Sequence, residues 1–341
     1  MTRADRYRAA GVDLDAADAT KQRIVEAVAS TRTPLARGLL GGFGGMVRVP
    51  DEVRDPVLVM STDGVGTKVL VAIAAGRHDT VGEDLVNHCV NDILVHGATP
   101  VAFLDYIAAA TIDPATVTQL VVGVARACRA HDMTLAGGET AQLPDLYHPG
   151  HYDLAGTIVG VVSEEKALHG DRVREGDVLV GYAASGLHTN GYTLARRIVF
   201  ADLGLRVDHE LPGLGTTAGD ALLAVHRSYA PAIRPVLDRV HALAHVTGGG
   251  IPGNLARSLP ERCRGVVRWG TWPVPPLFTL LQEAGRVEHD EMLRVFNMGI
   301  GMMAIVPPGE VDSVRAAAAK AGVETWVVGE VAAGEGVVVA R

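Results

Sequence analysis

The chain has 341 residues, enough for two domains at about 100–200 residues each. Apolar residues make up 48% and charged residues 21%, the balance of a globular chain, and with aromatics at 4% its core is mainly aliphatic. A net charge of −8 without any Lys/Arg run argues against a nucleic-acid surface, and no apolar run reaches the roughly 18 residues of a membrane span.

The charged first ten residues lack a following apolar segment, which argues against a signal peptide. Cys89, Cys128 and Cys263 are odd in number and scattered, so they fit neither a disulfide framework nor a zinc site. A cytoplasmic protein with reduced thiols is expected. Residues 17–30 read as a helix, broken by Thr33-Pro34. Gly41-Gly42-Phe43-Gly44-Gly45 then reads as a flexible hairpin or a ligand-facing loop.

The apolar run 57–60 predicts a buried strand leading into S-T-D-G-V-G-T-K, Ser61 to Lys68. Gly64 and Gly66 allow close backbone approach. Thr67 and Lys68 add a hydroxyl and a cation suited to polyphosphate, and Asp63 could face a Mg²⁺. The order Gly66-Thr67-Lys68 is not that of a Walker A loop. A hairpin turn with a surface lysine is the alternative.

Residues 79–95 predict an amphipathic helix carrying Asp84, His88, Asp92 and His96 at i+4 spacings. Ligands stacked along one helix spread down its axis, so a metal site built from this ladder alone is disfavoured. Asn91-Asp92 reads instead as an amide and a carboxylate facing a cleft. A strand (101–108), a helix opened by Pro114 (114–131) and a short strand (133–136) follow, the last delivering Gly137-Gly138-Glu139-Thr140. Another strand covers 153–162. Alternating strands and helices predict a mixed α/β or α+β fold.

The charged stretch 163–176 marks a boundary between domains 1–165 and 175–341. The second opens with a strand (178–183) and the loop Ser185-Gly186-Leu187-His188-Thr189-Asn190-Gly191 before a helix from Tyr192. That loop reads as a phosphate site or a simple N-cap. His245-Val246-Thr247-Gly248-Gly249-Gly250 begins a formal G-x-G-x-x-G match ending at Gly253. No acid lies between Cys263 and Gln282 to bind a ribose, so an anion-binding loop opening a helix fits better than a dinucleotide fingerprint. Helices to Gly285, from Glu288 and over 311–321, with strands at 304–306 and around Val327 and Val337, complete the chain.

Taken together, Y-R-A-A-G-V-D (7–13), T-D-G-V-G-T-K (62–68), V-N-D-I (90–93), G-G-E-T-A (137–141), S-G-L-H-T-N-G-Y (185–192), H-V-T-G-G-G (245–250) and F-N-M-G-I-G-M (296–302) resemble the phosphoribosylformylglycinamidine cyclo-ligases, or aminoimidazole ribonucleotide synthetases. The match runs in order through essentially the whole chain. T-D-G-V-G-T-K and G-G-E-T-A mark a wider superfamily with selenophosphate synthetase and thiamin-phosphate kinase, whereas the last three motifs single out the cyclo-ligases.

The resemblance implies an α+β architecture: an N-terminal sheet forming a barrel shared in a homodimer, and a C-terminal α/β domain. It implies ATP bound by Gly41, Gly42, Phe43, Gly44, Asp63, Gly64, Gly66, Thr67, Lys68, Asn91, Asp92, Gly137, Gly138 and Glu139. Mg²⁺ would be held by Asp63, Asp92 and Glu139, and any K⁺ requirement stays open. Formylglycinamidine ribonucleotide would meet Ser185, Gly186, His188, Asn190, Thr247, Gly248, Gly249 and Gly250. His188, His245 and Lys68 are the catalytic candidates, the histidines for proton handling or for stabilising a phosphorylated intermediate. Three positions depart from the family pattern: Arg8 and Ala9 replace lysine and aspartate, and Gln142 replaces glutamate.

Overall fold

Strands rich in Val, Ile and Leu form two large sheets, besides a two-stranded ribbon, and the helices between them pack on those sheets. The structure, a computed structural model, describes residues 6, 9, 11–38 and 42–340.

In the first half, the Asp13 carboxylate accepts from the Asp15 and Ala16 N–H groups and so caps helix α1 (Leu14–Ala29). A short ribbon pairs β1 (Ala36–Arg37) with β2 (Met46–Val47). There follow β3 (Pro56–Gly64), α2 (Lys68–Ala75), α3 (Asp79–Leu94), β4 (Thr99–Ala109), α4 (Pro114–Ala130), β5 (Thr134–Gln142) and β6 (Tyr152–Ser163). The four long strands lie in the order β3-β6-β4-β5, antiparallel except for the parallel pair β4/β5.

Side chains alternate between the two faces of this sheet. Phe103 faces inward with Leu85 of α3, and a Cβ on Gly156 would strike both. The opposite face is apolar yet open: Leu58, Met60, Leu104 and Tyr106 are 48, 63, 37 and 39% exposed. One edge is moored to the start of α1. The Gln142 side chain donates through Nε2 to Asp13 O (3.1 Å) and accepts through Oε1 from Asp13 N (3.4 Å).

The second half comprises β7 (Val178–Ala183), α5 (Tyr192–Arg196), α6 (Ala218–Leu222), α7 (Ala230–Ile233), β8 (Ala242–His245), α8 (Gly250–Leu255), β9 (Cys263–Arg268), α9 (Pro276–Gly285), α10 (His289–Val295), β10 (Ile300–Val306), α11 (Val311–Lys320), β11 (Thr325–Ala333) and β12 (Gly336–Ala340). Its sheet has the order β12-β9-β11-β7-β10-β8, with only β12/β9 parallel. β10 is buried at every position, as a run apolar on both faces requires. One core continues from Leu85, Val86 and Cys89 of α3 to Leu187, Tyr192, Tyr229 and Phe296 of the second half. That continuity seats the second-half loops on α2 and α3.

Two expectations about local structure need correction. Gly137-Gly138-Glu139-Thr140 is not a loop beyond a strand but the middle of β5, because β4 offers pairing partners as far as Ala109. Ser61 to Lys68 is not a hairpin: β3 ends at Gly64, Gly66 turns at φ +55°, and α2 starts at Lys68. The cysteines are all buried free thiols, and no helix among the described residues is long and apolar enough to cross a membrane.

Candidate active site

The end of β3 and the last turn of α3 each bring a carboxylate to the junction of the two halves. Asp63 Oδ2 lies 2.8 Å from His88 Nε2, and its Oδ1 accepts from the Gly64 N–H at 2.7 Å. One turn beyond His88, Asp92 accepts from Ser61 Oγ at 3.0 Å, and its other oxygen is 2.8 Å from His245 Nδ1 at the end of β8. His88 Nδ1 in turn meets Thr189 Oγ1 at 2.7 Å. The loops 185–190 and 245–250 therefore converge on the two acids, with Asn190 Oδ1 3.4 Å from where a Cβ on Gly248 would sit.

Two more histidines complete the cluster. His226 Nε2 is 3.1 Å from His245 Nε2, and its ring stacks on His188 with centroids 4.0 Å apart. His188 has φ +63°, a conformation uncommon for a residue with a side chain, and its Nε2 accepts from the Ser185 N–H at 3.2 Å. Gly301 makes room: a Cβ there would sit 2.3 Å from His188 Cε1 and 2.1 Å from Tyr229 Oη.

The electrostatics divide the cluster. Burial pushes the Asp63 and Asp92 carboxyls up, but bonds and charge from His88 and His245 hold both below the ordinary value. Burial likewise opposes the His88 imidazolium, and the Asp63 bond with the Asp92, Asp63 and Asp84 charges outweighs it, so His88 is raised. His188 and His226 are driven well below the ordinary imidazole value by burial and by their cationic neighbours. His245 is lowered by burial despite its bond to Asp92.

Two ionised carboxylates beside Ser61 form an all-oxygen set of the kind Mg²⁺ accepts, so Asp63 and Asp92 fit that ion. A shared metal on His188, His226 and His245 is excluded by ring geometry: His188 and His226 stack within 20° of parallel, so no nearby point lies in both ring planes.

Several expected site residues lie elsewhere. Glu139 pairs with Tyr106 across β5 and β4, so its side chain is on the open face, and Gly137 and Gly138 share that strand. Gly42, Phe43 and Gly44 are exposed beside the same edge, where Gly45 abuts Ala136, while Gly41 is outside the described residues, as are Tyr7, Arg8 and Ala10. The ATP candidates thus split between opposite edges of the sheet, three strand spacings or about 14 Å apart. A single chain does not bring Asp63, Asp92 and Glu139 together.

Asn91 faces no cleft. It is fully buried, accepting from the Tyr229 N–H (2.9 Å) and donating to Arg227 O (2.8 Å). Lys68 does not face solvent either. Its ammonium pairs with Asp84 at 2.7 Å and donates to Ala224 O (2.8 Å) and His188 O (3.1 Å), with both charged side chains fully buried. Burial lowers the Lys68 value and raises that of Asp84, each opposing the other's shift by their mutual attraction. Thr67 Oγ1 meets Thr193 Oγ1 at 3.2 Å.

In the second half, Ser185 Oγ donates to Val225 O (2.6 Å) and Gly186 O accepts from Asn297 Nδ2 (2.9 Å). Asn254 Nδ2 holds the carbonyls of Thr247, Gly248 and Gly250, with Gly249 at φ +95° between them. Of the helical ladder, His88 and Asp92 join the cluster, Asp84 is taken by Lys68, and His96 is exposed at the far end.

Comparison with known proteins places this geometry. Residues 45–162 match the family model described as AIR synthase related protein, N-terminal domain, and residues 174–341 match the C-terminal domain of the same description. The chain is 47% identical over 329 residues to the phosphoribosylformylglycinamidine cyclo-ligase of Sorangium cellulosum, covering 95% of this chain and 94% of that protein. It is also 47% identical to that of Geobacter sulfurreducens, over 96% and 94% of the two chains. Among solved structures, thiamine-monophosphate kinase from Stenotrophomonas maltophilia shares the fold with a TM-score of 0.71 at 16% identity, covering 93% and 95% of the two chains. The E. coli hydrogenase maturation protein HypE does so with 0.66 at 19%, covering 93% and 91%. The solved structures carry the fold alone, whereas the close relatives carry the family: the chain belongs to the phosphoribosylformylglycinamidine cyclo-ligases.

Proposed function

We propose that the cluster at the junction of the two halves closes the imidazole ring of 5-aminoimidazole ribonucleotide. The chain is an ATP-dependent cyclo-ligase of purine biosynthesis, acting on formylglycinamidine ribonucleotide. The observation that carries the reading is the convergence of Asp63, Asp92, His188 and His245 from both halves on one place.

A formamide carbonyl is a poor electrophile with a very poor leaving group. Its oxygen attacks the γ-phosphorus of ATP, and ADP departs. The amidine nitrogen then adds to the activated carbon within the same molecule, the C–O bond breaks, phosphate leaves, and the nitrogen gives up a proton. Holding amidine and carbon together supplies a proximity term of roughly 7–11 kcal/mol in favourable systems. Asp63 and Asp92 would hold Mg²⁺, which when bound offsets the charge on the transferring phosphoryl group.

This chain's residues do the rest. Gly64, Gly66 and Thr67 offer backbone and hydroxyl contacts for the phosphates at the start of α2. Loops 185–190 and 245–250 receive the substrate. His245, oriented by Asp92, and the neutral His188 handle the proton released on closure. Two copies packed on the open sheet face would bring the second group of ATP candidates, Gly42 to Gly44 and Gly137 to Glu139, to the first. A homodimer in the cytoplasm, with domains 1–165 and 175–341, completes the proposal.

The deciding experiment incubates pure protein with formylglycinamidine ribonucleotide, ATP and Mg²⁺. Equal amounts of aminoimidazole ribonucleotide and ADP are expected. Nucleotide binding without either product, or ADP formed without ring closure, would overturn the reading.

A further inference from the structure

The ion pair between Lys68 and Asp84 sits at the start of α2 and in the second turn of α3, both in the first half. Every other hydrogen bond of its charged groups goes to the backbone of the second half. Lys68 Nζ donates to His188 O and Ala224 O, and Asp84 Oδ1 accepts from the His226 N–H at 2.6 Å. With three partners around it, the ammonium has no direction left for an anion. Neither side chain has any exposed surface, and the Tyr192 ring lies against the ammonium with its centroid 5.5 Å away. A phosphate could reach Lys68 only by dismantling these contacts.

Two of the three backbone groups the pair holds belong to His188 and His226, the two residues whose rings stack. His188 occupies a left-handed conformation that needs external support. The carbonyl that Lys68 grips is His188's own.

We propose that Lys68 and Asp84 are a positioning pair, which sets the His188 and His226 backbones against the first half and acts on the reaction through His188. The lysine of T-D-G-V-G-T-K is then not an ATP ligand in this chain, and phosphate contacts at this turn fall to Gly64, Gly66 and Thr67. The inference rests on the ring-closing reading given above.

The test compares Lys68→Met, Asp84→Asn and the double variant Lys68→Met/Asp84→Leu, which leaves no unpaired buried charge and serves wherever a single variant is too unstable to assay. A misplaced His188 should lower kcat by about 100-fold in each. The Kd for ATP with Mg²⁺, read by calorimetry, should stay within about threefold of wild type, since no phosphate contact is lost. Hydrogen exchange should accelerate in peptides spanning 185–190 and 225–229. In a His188→Ala background, Lys68→Met should cost nothing further in kcat.

A rise of about tenfold or more in the ATP Kd for Lys68→Met but not for Asp84→Asn would make Lys68 a phosphate ligand and sink the proposal. Unchanged exchange in both peptides would sink it too, as would full additivity with His188→Ala. A wild-type protein that forms no aminoimidazole product would overturn the ring-closing reading alone, because the exchange measurement judges the pair without turnover.

Discussion

Asp92 and His245 are joined at 2.8 Å across the boundary between the two halves, a carboxylate on helix α3 meeting an imidazole at the end of strand β8. The bond orients the ring and holds the carboxyl ionised. Replacing Asp92 with Asn keeps the volume and removes the charge. Turnover should fall by about 10²–10³-fold or more, the scale of losing one preorganised electrostatic partner, with the circular dichroism spectrum unchanged. Near-wild-type turnover would refute the assignment.

Stability should report the buried pair separately from activity. Lys68→Met strands the Asp84 charge inside the protein and should cost about 3–5 kcal/mol in denaturant unfolding. Lys68→Met/Asp84→Leu, with both charges gone, should recover most of that loss. A single variant as stable as wild type would mean that Asp84 is not charged in the fold.

The histidine cluster gives the metal-free protein a stability that depends on pH with two signs. His88 is raised above its ordinary 6.5, so its contribution is complete below that value and is lost as pH climbs through the raised folded value. His188 and His226 are lowered, so stability also drains as pH drops below 6.5 toward their folded values. Asp63 and Asp92 add a loss at lower pH still, below 3.8, as pH falls through their depressed values. Melting temperature against pH in chelator should therefore peak near the ordinary imidazole value. His88→Gln should flatten the alkaline limb and, because His88 also holds Asp63 and Asp92 down, weaken the loss at the lowest pH; an unchanged alkaline limb would remove His88 as its origin.

Gly301→Ala tests the crowding around His188. The added methyl collides with the His188 ring and Tyr229 Oη, so His188 must move. Overpacking of this kind costs about 1–3 kcal/mol, and kcat should drop with it. A variant with wild-type melting and turnover would show that His188 has slack.

Met60→Glu places a charge on the open apolar face. If two copies meet there, sedimentation should show a shift from dimer to monomer, with activity lost in parallel. A wild-type protein that sediments as a monomer at working concentration, yet turns over, would exclude that role for the face.

Much of this was legible in the residues. Apolar runs bounded by glycines located most of the strands, and Asp63 and Asp92 meet the cluster that holds the histidines at 188 and 245, whereas Glu139 does not. What escaped depends on contacts distant in sequence. Asp84 looked like one rung of a ladder, because nothing local says that Lys68 will lie against it. His226 sits in a stretch without a strand–glycine transition, and contacts distant in sequence, to Asp84, Asn91, Thr189, His188 and His245, bring it into the site. The placement of Glu139 depends on the length and register of its strand: β5 does not end at Ala136 but runs on to Gln142. A β-bulge at Ala136 shifts the alternation after Leu135, so that Gly138 turns inward with Asp105 and Glu139 outward with Tyr106.

The Gln142 contact gives one of the chain's departures a physical meaning. A carboxylamide can give a hydrogen to one backbone group and take one from another, and Gln142 does both with a single residue, Asp13. An ionised glutamate at 142 could only take, so the second bond to the Asp13 carbonyl, which also accepts from the Ala17 N–H, would be lost. Asp13 also caps the first helix, so the amide acts as a latch on the entry to α1. Substitution at 142 should therefore be felt first in how firmly the chain's leading segment lies against the sheet edge.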